Sequence, residues 1–261
     1  MRASAFLGIV AAATGSLALG AGVASAQPGS VASASTPMAT SISCGAAVIS
    51  DDSSKPHALH VIGAQDTAAR TAYDNRDLLV IDGGTAAGVQ IGQEYFVRGM
   101  VRLWHMEYIG APSTPSIRTA GWIRIVAANE RTSIAQVIHA CGVFFHGDYL
   151  EPYKEPSVPA GMDREESTGN PDFASMGHIV SGPEDHTTSA PGEYVRIDRG
   201  TEHGVTSGAR FAVYRDVASA GMPLAAIGEL VVVEVGKSQS LARIVRARDA
   251  IVARDYVAPR K

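Results

Sequence analysis

Leu79-Val80-Ile81-Asp82-Gly83-Gly84-Thr85-Ala86-Ala87-Gly88-Val89 returns 116 residues later as Val195-Arg196-Ile197-Asp198-Arg199-Gly200-Thr201-Glu202-His203-Gly204-Val205. The offset of 116 holds through Gly92/Gly208, Tyr95/Phe211 and Val97/Val213. It then becomes 107 for Gly121/Gly228, Ile123/Leu230, Ser133/Ser240, Ala135/Ala242, Val137/Ile244, Asp148/Asp255, Tyr149/Tyr256 and Pro152/Pro259. Upstream, His60-Val61-Ile62 sits opposite His178-Ile179-Val180. Matches in this order over about 90 residues mark an internal repeat. The chain therefore holds two copies of one small module.

Each copy reads as strands. Val231-Val232-Val233-Glu234-Val235 is β-branched and lies between Gly228 and Gly236, the composition of a buried strand. Trp122-Ile123-Arg124-Ile125-Val126 and Ala135-Gln136-Val137-Ile138 alternate in part with period two. Glycines recur at fixed places, which marks turns. The Asp-x-Gly-Thr-x-x-Gly-Val unit reads as a tight connection whose Asp82 or Asp198 bonds nearby backbone amides. The expected fold is all-β, with one small barrel or sandwich per copy.

Outside the repeat the composition changes. Arg2, the uncharged apolar stretch Phe6–Leu19 and the small residues Ala24-Ser25-Ala26 form a signal-peptide pattern over 1–26. A membrane anchor fits less well, because the stretch is short and rich in Ala and Gly. Residues 27–43, made mostly of Ser, Ala, Thr, Pro and Gly, read as a flexible tether. The first module is expected over 44–152, a linker of prolines, glycines and charges over 153–177, and the second module over 178–261. No later stretch approaches the length of a membrane helix, so no integral membrane segment is expected in the mature chain.

The formal charge is −4, and becomes −5 without Arg2. An acidic chain without a basic stripe repels phosphate backbones, which argues against nucleic acid as a partner. The two cysteines, Cys44 and Cys141, are expected to pair in an oxidising compartment and to close a loop inside the first module. The competing reading is a metal site of His139, Cys141 and His146, whose spacing matches no standard zinc pattern.

Catalytic motifs are weak. Gly83-Gly84-Thr85-Ala86-Ala87-Gly88 fails the dinucleotide pattern and runs towards a strand instead of a helix. Gly204-Val205-Thr206-Ser207-Gly208 places its serine one position late for a nucleophile elbow. His57 and His60 have no helical spacing, and the repetition of His60/His178, Asp82/Asp198 and Asp148/Asp255 suits a structural role. No catalytic residue, cofactor or metal ligand is predicted. The copies differ most between Arg98 and Gly121, where the first has nine extra residues. Trp104, His105, Met106 and Tyr108 on that loop are candidates for partner contact, against packing onto the module itself.

The residues Asp198, Gly200, Gly204, Val205, Gly208, Phe211, Val213, Gly228, Val231, Ser240, Asp255, Tyr256 and Pro259 carry a resemblance. In the first copy Asp82, Gly84, Gly88, Gly92 and Gly147-Asp148-Tyr149 match, while the second has Arg254 in place of that glycine. The pattern resembles a small β-barrel repeat of exported bacterial envelope proteins, some of which also carry LysM domains. It is also similar to the C-terminal domain of a flagellar outer-membrane-ring assembly protein. That resemblance implies a secreted or periplasmic, non-enzymatic scaffold or binding unit whose partner is an envelope component or protein. The alternative is an exported hydrolase with its site between the modules.

Overall fold

The computed structural model describes residues 37–45, 59–66, 70–101, 116–162, 164, 167–182, 186, 188–216 and 223–261. Its one α-helix, α1, covers Pro37–Ser43. The first repeat supplies β1 (Val61–Ala64), β2 (Ala72–Tyr73), β3 (Leu78–Ile81), β4 (Glu94–Val101), β5 (Ser116–Ala128), β6 (Ser133–Ala140), β7 (Phe144–Phe145) and β8 (Tyr149–Pro152). The second supplies β9 (Gly177–Ser181), β10 (Thr188–Ser189), β11 (Tyr194–Ile197), β12 (Arg210–Arg215), β13 (Ala225–Val235), β14 (Ser240–Ala247), β15 (Ile251–Val252) and β16 (Tyr256–Pro259). The protein is all-β in two modules. Among the described residues no helix is long and apolar enough to cross a membrane.

Both modules share one strand order. The first is a six-stranded sheet, β1-β3-β6-β5-β4-β8, and the second a closed barrel, β9-β11-β14-β13-β12-β16. The first sheet curls until His60 bridges Tyr149 across its edges. There Val61 N donates to Asp148 O at 2.8 Å, as Ile179 N donates to Asp255 O at 2.8 Å in the closed copy. Each interior is lined by matching residues: Leu79 and Val195, Ile81 and Ile197, Ile123 and Leu230, Ala135 and Ala242, Leu150 and Val257. Period-two alternation sends these side chains inward, and burying each Leu, Ile or Val among them contributes roughly 1.5–3 kcal/mol.

The shared glycine unit is a turn locked to the neighbouring hairpin. Thr85 N and Ala86 N donate to Asn129 O and Glu130 O at 2.8 and 3.1 Å. Thr201 N and Glu202 N donate to Gly236 O and Lys237 O at 3.0 and 3.1 Å. The approach is so close that a Cβ on Gly84 would lie 2.1 Å from Asn129 O, and one on Gly200 2.4 Å from Lys237 O. Gly88 and Gly204 adopt φ of 82° and 74°, the left-handed region that glycine tolerates best. Asp82 bonds a backbone amide, and that amide belongs to the neighbouring strand segment instead of its own turn. It accepts from His60 N at 2.5 Å and meets His60 Nδ1 at 3.1 Å, a pairing repeated by Asp198 and His178 at 2.7 and 3.2 Å. The histidine and aspartate pin two strands together at the same place in each copy.

Two segments read as loose are ordered. The end of the expected tether is α1, too short to hold a helix by itself. It is held because Ile42 and Met38 pack on Tyr194, Val231, Val233 and Leu241, the outer face of the second barrel. Ser41 Oγ accepts from Tyr194 Oη at 2.9 Å. The linker is anchored by Met162, 2 % exposed in the same cluster. Arg210 adds hydrogen bonds to Gly161 O and Arg164 O at 2.6 and 3.0 Å. A low apolar content hid both anchors, since one or two well-placed side chains suffice.

Candidate binding site at the seam between the barrels

The paired cysteines build the seam. Cys44 and Cys141 form a disulfide with Cα atoms 5.3 Å apart, within the usual range. The bridge does more than close a loop in the first module. It ties the end of α1, which lies on the second barrel, to the end of β6 in the first. Gly45 continues the connection. A Cβ there would lie 2.9 Å from Leu241 Cδ2 and 3.0 Å from Ile42 O, so a larger residue would force these neighbours to shift. Gly45 O accepts from Thr119 Oγ1 at 3.0 Å, and Thr119 Oγ1 accepts from Arg98 Nη1 at 2.6 Å. Arg98 Nε donates to Glu151 Oε2 at 2.7 Å, and its guanidinium lies 4.4 Å from the centre of the Phe96 ring. A hydrogen-bonded chain thus runs from β8 through β4 and β5 to the segment covering the second barrel.

Beside this chain opens a recess of about 490 Å³, a size typical of small-ligand sites. Its walls come from α1 (Ile42, Ser43) and Gly45, the first barrel (Phe96, Arg98, Glu151, Pro152), residues 154–157, and Val233 and Glu234 of β13. Val233 is the extra residue of a β-bulge, flanked by the Val232–Ala242 and Glu234–Leu241 pairs. The bulge turns Val233 onto Ile42 and brings Glu234 to the recess. The Glu234 carboxylate has no hydrogen-bond partner among the described residues. Desolvation by the surrounding walls raises its carboxyl above the ordinary range; Arg98 opposes that rise and Glu151 adds to it. Its side chain still meets solvent, so crowding in the recess, short of full burial, causes the shift. Ser43 is 5 % exposed, and its hydroxyl has no hydrogen-bond partner among the described residues.

An aromatic stack braces the wall from behind. Trp122 lies 4.5 Å from His139 and 5.4 Å from Tyr153, and Phe96 lies 4.7 Å from Tyr153. His139, Cys44 and Cys141 bring their potential ligand atoms within 4.8 Å of one another. With the sulfurs bonded to each other neither is a thiolate, which leaves the imidazole as the one strong metal donor of the three. His146, from the competing metal reading, is not part of this group. Trp104, His105, Met106 and Tyr108 lie outside the described residues. In the glycine-rich turns the amides of Thr85, Ala86, Thr201 and Glu202 are taken by the hairpin carbonyls.

Arg98, Glu151 and Glu234 escaped the sequence reading because no motif contains them. The repeat did carry a signal. Their counterparts in the other copy are Tyr214, Ala258 and Ala127, so outward strand positions where only one copy is charged converge on the recess. No family model matches the chain, and no curated protein matches it significantly.

Proposed function

We propose that this chain is an exported, non-enzymatic binding protein of the cell envelope whose two barrels act together and whose ligand occupies the recess at their seam. One observation carries the reading. The recess is built jointly by both modules and α1, with a disulfide holding the parts, so the site is preformed instead of assembled by the ligand. The leader-like segment, the disulfide and the resemblance to envelope repeats support export. The test is an amide-resolved titration of the labelled protein with an envelope extract. Saturable shifts centred on Val233, Glu234 and Ser157, lost in a Ser157→Trp variant that fills the recess, support it. Shifts that avoid these residues overturn it.

A second reading, an exported hydrolase, has one observation in its favour. Glu234 of one barrel and Glu151 of the other line the same recess, and Glu234 is held above the ordinary carboxyl range. A carboxyl held high in this way beside a second carboxyl can serve as the general acid of a hydrolase. Arg98 weighs against it by engaging Glu151. Turnover of an envelope glycan or peptide that disappears in both Glu234→Gln and Glu151→Gln would favour the hydrolase over the binder.

A further inference from the structure

The charges of the recess are not equally available. Arg98 is spent on Glu151, Thr119 and the Phe96 ring. Lys154 and Glu155 are adjacent, opposite in sign and exposed at the rim. On β13, Glu234 faces the recess with no donor bonded to it. With three carboxylates against two cations in the lining, the field favours positive charge. Apolar surface from Ile42, Val233 and Phe96 lies in the same lining, and the unsatisfied Ser43 hydroxyl adds a polar group.

We infer that the recess selects ligands bearing an ammonium group, which pairs with Glu234 while the ligand's aliphatic part lies on Ile42 and Val233. The inference rests on the seam being a binding site. An ammonium supplies the hydrogen-bond donors that Glu234 lacks and offsets its desolvation, and a charge-assisted bond of this kind is among the stronger polar contacts. An anionic ligand would meet Glu151, Glu155 and Glu234 with only Lys154 uncommitted. A lysine side chain or the amino terminus of a peptide has the required chemistry. Binding is weaker at low pH, because protonation of Glu234 removes the charge; Arg98, Glu151, Lys154 and Glu155 are the other charged groups facing the recess.

The test uses three capped tripeptides, Ala-Lys-Ala, its Nε-acetyl-lysine form and Ala-Glu-Ala, titrated into the full disulfide-bonded protein with seam amides observed. The lysine peptide is expected to shift Val233 and Glu234 saturably. Acetylation of the lysine, or Glu234→Gln in the protein, is expected to weaken it about tenfold or more, with the melting temperature of the variant unchanged. Equal binding of the acetylated or glutamate peptide, or no loss in Glu234→Gln, overturns the inference, as does the absence of any saturable shift. Calcium chloride shifting the same amides in place of the peptide also overturns it, by assigning the carboxylate to an inorganic cation. If the tripeptides fail while an envelope extract still shifts the seam, the ammonium assignment falls and the binding site stands. If neither acts there, both fall.

Discussion

Arg118 holds Asp148 through two hydrogen bonds of 2.6 and 2.7 Å, and the equivalent carboxylate, Asp255, takes both of its guanidinium bonds from a different strand. In the second barrel the donor is Arg215 of β12, at 2.7 Å to each oxygen, whereas Arg118 belongs to β5. Both carboxylates are buried, and each also caps its own turn by accepting from Phe145 N or Val252 N at 2.8 Å. The acid is common to the copies. The base that neutralises it was recruited separately.

Arg118→Ala should therefore destabilise the first module by about 3 kcal/mol, since it strands a buried charge. Desolvation already holds Asp148 above the ordinary carboxyl range, against the pull of Phe145 N and Arg118. Without Arg118 it rises further. The folded state then binds a proton where the unfolded chain does not, so stability falls as pH rises through that window. The deficit of the variant should be larger near neutrality than near pH ~4. Denaturant unfolding at the two pH values measures it, and an equal deficit at both refutes the account.

The disulfide spans a sequence separation of 97, and the chain-entropy model gives such a closure about 4.7 kcal/mol. Cys44→Ser with Cys141→Ser should lower stability by that order. Hydrogen exchange should locate the change in α1 and on the outer face around Tyr194 and Val231, with the interior of the second barrel still protected. Loss confined to the first barrel would contradict the strap described above.

Arg254 is the one described non-glycine residue with positive φ, 76°, at the position where Gly147 has φ 89°. Its side chain is exposed. Relief of left-handed strain is worth roughly 1 kcal/mol, so Arg254→Gly should raise the melting temperature by a few degrees. A lowered midpoint would show that the arginine contributes something beyond its backbone.

Gly84→Ala and Gly200→Ala should each damage the module that contains them, because the added methyl meets backbone oxygen that has nowhere to retreat. We expect about 3 kcal/mol or more, as for other forced overlaps, and mirrored effects in the two variants. Calorimetry resolves which barrel melts first. A neutral Gly200→Ala would mean the hairpin beneath it is free to shift.

Much of the fold was legible because the repeat supplied its own control. A single copy leaves Gly84 or Val205 ambiguous, while two copies with the same spacing separate framework residues from chance. The seam was hidden for a related reason. Arg98, Glu151 and Glu234 are distant in sequence and belong to strands whose outward positions vary freely until another element covers them. The cover, α1, has Met38 and Ile42 as its anchors in a stretch of small residues, which gives no periodic signal. The disulfide was readable from the cysteine count, but its partner surface depended on which barrel α1 chose.

The side of α1 that carries Ile42 meets residues made some 150 positions later. Because synthesis proceeds from the amino end, Cys44 and Cys141 both emerge before Tyr194, Val231 and Leu241 exist to receive that helix. The covalent closure can come first, leaving the helix's sticky side waiting at a fixed place. The last barrel would then be completed against a template already mounted on the first. A chain cut short between residues 152 and 194 would keep both cysteines yet leave the apolar side of α1 with nothing to rest on.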